Sequence, residues 1–266
     1  MSELVTYGRR DRVAYLTLNR PERRNALNLE MFDAFSCVLT QLEQDPEAGV
    51  AILRGEGPGF CAGMDLSNQG QSRYIDETSL WDDRNRLRTQ MEFWTRVWNS
   101  PKPIILQAHG FCMAGGLLFL MTADLVVMAE DCVLGWPRLP VGGGLLGPLF
   151  ATSFGARRAK EMDFIVGSRM TAQTAREWGV VNRVVPADGL AEETFKLASR
   201  VAKTPPTLLA LRKAAINQAA ERGGFLETLR ASAEWDALAH GDVSVAQTRE
   251  LLHEQGIHDA IKMFES

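Results

Sequence analysis

Residues 108–124, AHGFCMAGGLLFLMTAD, constrain this chain more than any other stretch. They read as the end of a buried strand, a tight glycine turn, and a helix that starts at Ala114, Gly115 and Gly116. Small residues at such a junction let the backbone approach a ligand, because no side chain stands between them. The first N–H groups of a helix have no partner within it, and the macrodipole puts its positive end there. The junction therefore suits negative charge, whether bound or developing in a reaction. The same pattern also serves as an ordinary strand–helix connection in α/β folds, so its meaning depends on the rest of the chain.

The rest of the chain first excludes some classes. Its 266 residues are enough for one large domain or one domain with an extension. A net charge of −4 favours neither nucleic acid nor an anionic membrane surface. No signal peptide is visible at the start. The longest apolar run, 115–128, is broken by Thr122 and Asp124 and is too short to span a bilayer. Cys37, Cys61, Cys112 and Cys132 lie far apart without a CxxC pair, which argues against a zinc site and fits reduced thiols in a cytoplasmic protein. His253, Glu254 and His258 do not form HExxH, and GEGPGF at 55–60 is not a dinucleotide fingerprint; no metal is expected.

Read in order, 13–18 alternates as a strand and ends at the turn Asn19-Arg20-Pro21. Asn28 caps a predicted helix carrying Met31, Phe32, Phe35, Val38, Leu39 and Leu42. A short strand at 50–53 runs into the loop GEGPGFCAGMDL, and residues 76–98 form a charged helix with Trp81, Trp94 and Trp98. Strands follow at 104–108, 125–128 and 180–185. Helices are predicted at 156–165 and 172–178, and beyond Pro186 at 190–202, 205–220, 224–239 and 243–253. Alternation of strands and helices over the first 185 residues argues an α/β fold, with an all-helical remainder as a further layer. Leu226, Leu229, Trp235 and Leu238 are placed to pack on the body or on a neighbouring subunit.

Four segments together resemble the crotonase (enoyl-CoA hydratase/isomerase) superfamily: LNRPERRNALN at 18–28, GFCAGMDL at 59–66, AHGFCMAGG at 108–116 and MTAQTAREWGVVNRVVP at 170–186. The resemblance implies a spiral of ββα repeats over residues 1–203 and a C-terminal helical region, 204–266, that builds homotrimers or hexamers. It implies an acyl-CoA ligand, with coenzyme A as part of the substrate and no tightly bound cofactor. It places an oxyanion hole at the backbone N–H groups of Met64 and Gly115. Coenzyme A would lie along Arg23, Arg24, Ala26, Ala62, Gly63, Asp65 and Leu66, with Trp81, Cys112 and Trp136 near the acyl group and Trp235 near a nucleotide.

The resemblance also marks a departure. Hydratases of this family use two glutamates; here Leu118 and Arg138 stand at those positions. Leucine carries no proton, and arginine is a poor general base. General acid–base help is worth about 10²–10⁴-fold per group, so ordinary hydration of a 2-enoyl-CoA is expected to be weak while the carbonyl-polarising pair remains. A non-catalytic acyl-CoA-binding protein, and a decarboxylase or C–C hydrolase, are the alternatives. Asp76, Glu77, Asp82, Asp83 and Glu92 are candidate replacement acids, although a run of charges on one helix more often marks a solvated face. Asp65, Asp124 and His109 read as structural, Cys61 and Cys112 as packing, and Arg138 as a partner for an acyl carboxylate or an enolate.

Overall fold

The computed structural model describes residues 3–66, 79–142 and 144–264. Strands β1 (Val5–Arg10) and β2 (Val13–Leu18) form an antiparallel hairpin whose two-residue turn holds Asp11 at φ 54°, the left-handed backbone that tight hairpin turns require. β2 then pairs in parallel with β3 (Val50–Gly55), and β4 (Ile104–Ala108), β6 (Leu125–Ala129) and β9 (Arg183–Val185) continue the sheet in the order β1-β2-β3-β4-β6-β9. Parallel strands covered on both faces read as unbroken apolar runs, and every residue of β4 is buried. A second sheet holds the short strands β5 (Phe111–Met113), β7 (Val133–Gly135) and β8 (Arg169–Thr171).

Helix α1 (Leu29–Gln44) begins where Asn28 accepts a hydrogen bond from Met31 N, and it buries the six apolar residues expected of it. Helix α2 (Leu80–Asn99) is capped by Ser79; residues 67–78, including Asp76 and Glu77, lie outside the described residues. The junction after β5 is a single 3₁₀ turn, Ala114–Gly116, followed by the wholly buried α3 (Leu117–Thr122). Six residues make too short a helix for a sizeable macrodipole, so what this junction can offer an anion reduces to individual N–H groups. Phe119 on α3 meets Phe35, Phe60 and Trp94 in the core, which makes Trp94 a packing residue.

Further along, α4 (Gly147–Phe154) is a helix that the sequence reading did not assign, with Pro148 in the first turn where its missing N–H costs nothing. It is followed by α5 (Ala156–Phe164), α6 (Ala172–Glu177), α7 (Leu190–Val201), α8 (Pro206–Glu221), α9 (Phe225–His240) and α10 (Val243–Lys262). α10 runs past the expected stop at His253, kinking at Gly256 where φ is 78°.

The last helices are fastened to the body. α9 packs along α2, with Leu226 and Leu229 buried and Phe225 stacked on Trp98 at 4.2 Å. Trp235 and Leu238, on the same helix, stay 58% and 62% exposed. α8 is held by Lys213, whose Nζ donates to Asp124 Oδ2 at 2.8 Å, and the same oxygen accepts from Ile104 N at 2.7 Å. Burial pushes the Asp124 carboxyl up and the Lys213 ammonium down, each opposed by the other's charge. Asp124 thus satisfies a backbone amide, as its sequence position suggests, and pairs with a lysine 89 residues away.

Candidate active site

Three segments are laced together to make the site. Ala62 N donates to Arg24 O, Leu27 N to Gly63 O and Asp65 N to Leu27 O, at 2.7–3.0 Å. On the other side Met113 N donates to Cys61 O at 2.9 Å, and the backbones of Cys61 and Cys112 pair as a parallel β-bridge, both thiols free. The bridge between Leu27 and Met64 is parallel, so it uses the groups flanking Met64. Met64's own N–H is therefore turned to the opposite edge. That edge faces the 3₁₀ turn: a methyl group on Gly115 would sit 3.4 Å from Met64 N, and one on Gly63 only 3.0 Å from Gly115 N. Glycine at both positions keeps open the space between the two amides, and Gly63 also needs the freedom to hold φ at 95°. Ala114, just before Gly115, adopts φ 46° despite its Cβ, local strain of about 1 kcal/mol held beside a donor.

Met64 and Gly115 both line a cavity of about 610 Å³, together with Arg24, Ala62, Asp65, Leu66, Trp136 and Arg138. Its walls are otherwise largely aliphatic, with Leu87, Leu139, Val141, Leu146, Leu252 and Ile261 among them. Other residues singled out in the sequence are not brought there. Arg23 is exposed and Ala26 buried outside the cavity wall. Gly63 is not among the cavity-lining residues. Trp81 is 65% exposed, with the Arg84 guanidinium 4.9 Å over its ring, and does not line the cavity. Cys112 is the fully buried residue of β5, where burial pushes its thiol well up; burial likewise raises Cys61 to about 12, so neither is poised as a nucleophile. Leu118 is fully buried in the core and is not part of the cavity wall.

The polar candidates sort by partner. Asp65 accepts from Arg20 Nη1 at 2.6 Å, a buried pair whose Arg20 also holds Ala26 O. His109 Nε2 meets Gly57 O at 2.9 Å, a structural hydrogen bond. Trp136 is 3% exposed and packs at a tilt against Phe150, and its buried Nε1–H has no partner among the described residues. Arg138 presents an exposed side chain at the rim, beside Gly167.

Of the acids on α2, Asp82 and Glu92 are exposed, as a solvated face would be, but Asp83 is not. Its Oδ2 lies 2.6 Å from His240 Nδ1 and its Oδ1 accepts from Arg86. Burial pushes the Asp83 carboxyl up, but the hydrogen bonds from His240 and Arg86 and their charges outweigh it and hold it at about 2. An ionised carboxylate only accepts, so His240 Nδ1 is the donor. Asp236 Oδ2 stands 3.6 Å from the other ring nitrogen. Asp236, His240 and Arg249 all line the cavity. Sequence reading missed these three; the one available signal was the spacing of four between Asp236 and His240, which puts them on one helical face.

The fold, with Met64 and Gly115 from two glycine turns lining one largely apolar cavity, defines the class to which the chain is similar. The enoyl-CoA hydratase/isomerase family model matches residues 8–240. The hydroxycinnamoyl-CoA hydratase-lyase of Pseudomonas fluorescens is 34% identical over 210 residues, covering 76% of this chain and 74% of that protein. The crystal structure of an enoyl-CoA hydratase/isomerase from Xanthobacter autotrophicus Py2 superposes with a TM-score of 0.90 at 32% identity, covering 98% and 97% of the two chains. That of an enoyl-CoA hydratase from Mycobacterium smegmatis gives 0.88 at 28% identity, covering 98% and 92%. This chain belongs to the enoyl-CoA hydratase/isomerase family, which acts on CoA thioesters, and it has the crotonase fold.

Proposed function

We propose that this protein is an enzyme that binds an acyl-CoA thioester with its carbonyl oxygen between the N–H groups of Met64 and Gly115, and works through the resulting enolate or oxyanion. What supports this reading is that Met64 and Gly115 line one cavity, with glycine at 63 and 115 where an added Cβ would crowd the two amides. The coenzyme A portion leaves past Arg24, Ala62 and Leu66, which line the same cavity; Arg24 is exposed there and can meet a phosphate. Coenzyme A is part of the substrate, and no resident cofactor is called for.

Ordinary hydration is the weak activity of this site. Leu118 lies in the core and Arg138 at the rim, so the two positions that the family resemblance reserves for glutamates supply no carboxylate. Arg138 is placed to pair with an acyl carboxylate or to steady an enolate. Resemblance to proteins named as hydratases and a hydratase-lyase supports an enzyme over a silent binder.

The protein is further proposed to be a cytoplasmic homotrimer or hexamer. α8 leaves Leu208 and Leu211 exposed three residues apart, and α9 does the same with Trp235 and Leu238. Such apolar faces are suited to burial between subunits, and sedimentation equilibrium tests the assembly. No described helix is long and apolar enough to cross a membrane.

The test of the ligand and the chemistry is titration with free coenzyme A and a series of acyl- and 2-enoyl-CoA thioesters, followed by product analysis. The thioesters are expected to bind more tightly than free coenzyme A. Loss of 2-enoyl absorbance should run at least about 10²-fold slower than in a relative with both glutamates. Hydration at that relative's rate would overturn the reading of Leu118 and Arg138; failure of every thioester to bind would overturn the site.

A further inference from the structure

An enolate mechanism needs a group that can take a proton and return it, and most of the titratable side chains on the cavity wall are already engaged. Asp65 is held by Arg20 at 2.6 Å. His240 is occupied on both ring edges, Nδ1 against Asp83 at 2.6 Å and Nε2 facing Asp236 at 3.6 Å. Arg24, Arg138, Arg169 and Arg249 also line the wall, but a guanidinium keeps its protons and only donates. Asp163 is left. It stands near the end of α5 and lines the same cavity as Met64 and Gly115.

Two neighbours set its place in the fold. Gly167 N donates to Pro137 O and Trp136 N to Ser168 O, each at 2.9 Å, so the stretch that follows α5 runs beside the stretch that carries Arg138. Asp163 itself lies against the first residue of α4: a methyl group on Gly147 would stand 2.6 Å from Asp163 Oδ2. Leu145 and Leu146, just before Gly147, line the cavity, as does Trp136, which packs on Phe150 of α4. A carboxylate at this spot could cap α4, yet the start of α4 receives no side-chain hydrogen bond. Asp163 makes no hydrogen bond or ion pair with any of the described residues. Solvent still reaches it, while partial burial pushes its carboxyl up with no neighbouring charge to oppose the shift. An acid without a structural partner, kept at the wall of an apolar cavity, has the freedom that a proton carrier requires.

We propose that Asp163 is the catalytic base of this site, taking a proton from the carbon next to the thioester carbonyl. The C–H bond breaks and its electron pair moves into the carbonyl, leaving an enolate oxygen at the N–H groups of Met64 and Gly115. The proton goes to the Asp163 carboxylate. Its return to the same carbon restores the thioester; its return two places further along an unsaturated chain shifts the double bond. Either outcome needs one carboxylate, and neither needs Leu118 or Arg138 to move a proton. The proposal rests on the acyl-CoA reading of the cavity and names the acid–base group within it.

The experiment is to incubate the full-length protein with butanoyl-, hexanoyl- and decanoyl-CoA in deuterium oxide and to follow deuterium gain in the acyl group by mass spectrometry. Thioester affinity is measured in parallel by calorimetric titration. The wild-type protein should catalyse exchange, and Asp163→Asn should slow it by at least about 10²-fold while the thioester still binds. Asp163→Glu should recover part of the loss. Asp163→Ser takes the place of Asp163→Asn if that variant fails to fold, and the wild-type result stands without any variant. Exchange at the wild-type rate in the variant, or none by the wild type although thioesters bind, overturns Asp163 as the base and leaves the acyl-CoA reading standing. If no thioester binds, the underlying reading falls, and the assignment with it.

Discussion

The two ends of the cavity are built from different materials. At one end Met64, on a segment bridged to residues 24–27 and 111–113, lies across from Gly115 of the 3₁₀ turn, with Gly63 between them. At the other, side chains from three helices, Asp83, Asp236, His240 and Arg249, meet in a buried ionic group. On the proposed reading, the first end would polarise a carbonyl whatever acyl group follows. On the same reading, the second end would lie away from the thioester. The difference separates what such a site does to a substrate from which substrate it admits.

The largest effect expected is from Gly63→Ala, which attacks the backbone end alone. The added methyl would stand 2.8 Å from Ala114 Cβ and 3.0 Å from Gly115 N, on a backbone with φ of 95°. We expect kcat/KM on the best thioester to fall by about 10²–10³-fold, with affinity for free coenzyme A little changed. Unaltered turnover would show that the carbonyl does not sit there, and the comparison would break.

Leu118→Glu sharpens the contrast from the other side. If the amide end lacks a proton carrier because this position faces the core, a glutamate there buries a carboxylate without a partner. Urea unfolding should then show a loss of about 3 kcal/mol or more, and hydration should not appear. A gain of 2-enoyl-CoA hydration would place the side chain in the cavity instead.

The smallest expected effect belongs to the ionic end. Asp83 has its carboxyl near 2 in the fold against an ordinary 3.8. A lowered carboxyl favours the folded chain wherever it is ionised, so its contribution is complete above about pH 4 and is lost as the pH falls from there to about 2. Acid unfolding curves should show up to about 2 kcal/mol lost over that window, and Asp83→Asn should flatten it. If the variant keeps the wild-type slope, Asp83 is not the clamp on His240.

Much of the backbone end was legible in the chain. GFCAGMDL and AHGFCMAGG carry the glycines of its two turns, and their Met64 and Gly115 line one cavity. Asp65 and His109 also have the structural partners their positions suggested. Trp81 shows the limit: a tryptophan at helical spacing reads the same whether it faces core, ligand or solvent, and here it is exposed under Arg84. Asp83 fails in the opposite sense. Among Asp82, Asp83 and Glu92 it looks like one more surface charge, and it is buried only because α9 lies against α2.

By itself, then, the sequence determined the alternation of strands and helices, the glycine turns and the amides they free, because these follow from local periodicity and from the conformations that glycine alone adopts without strain. Only the tertiary structure decided that His240 meets Asp83 across 157 residues, that Lys213 closes on Asp124, and that Leu118 turns into the core. Those outcomes depend on which helix faces pack together, and the identity of a packing partner is not written in any local stretch of the chain.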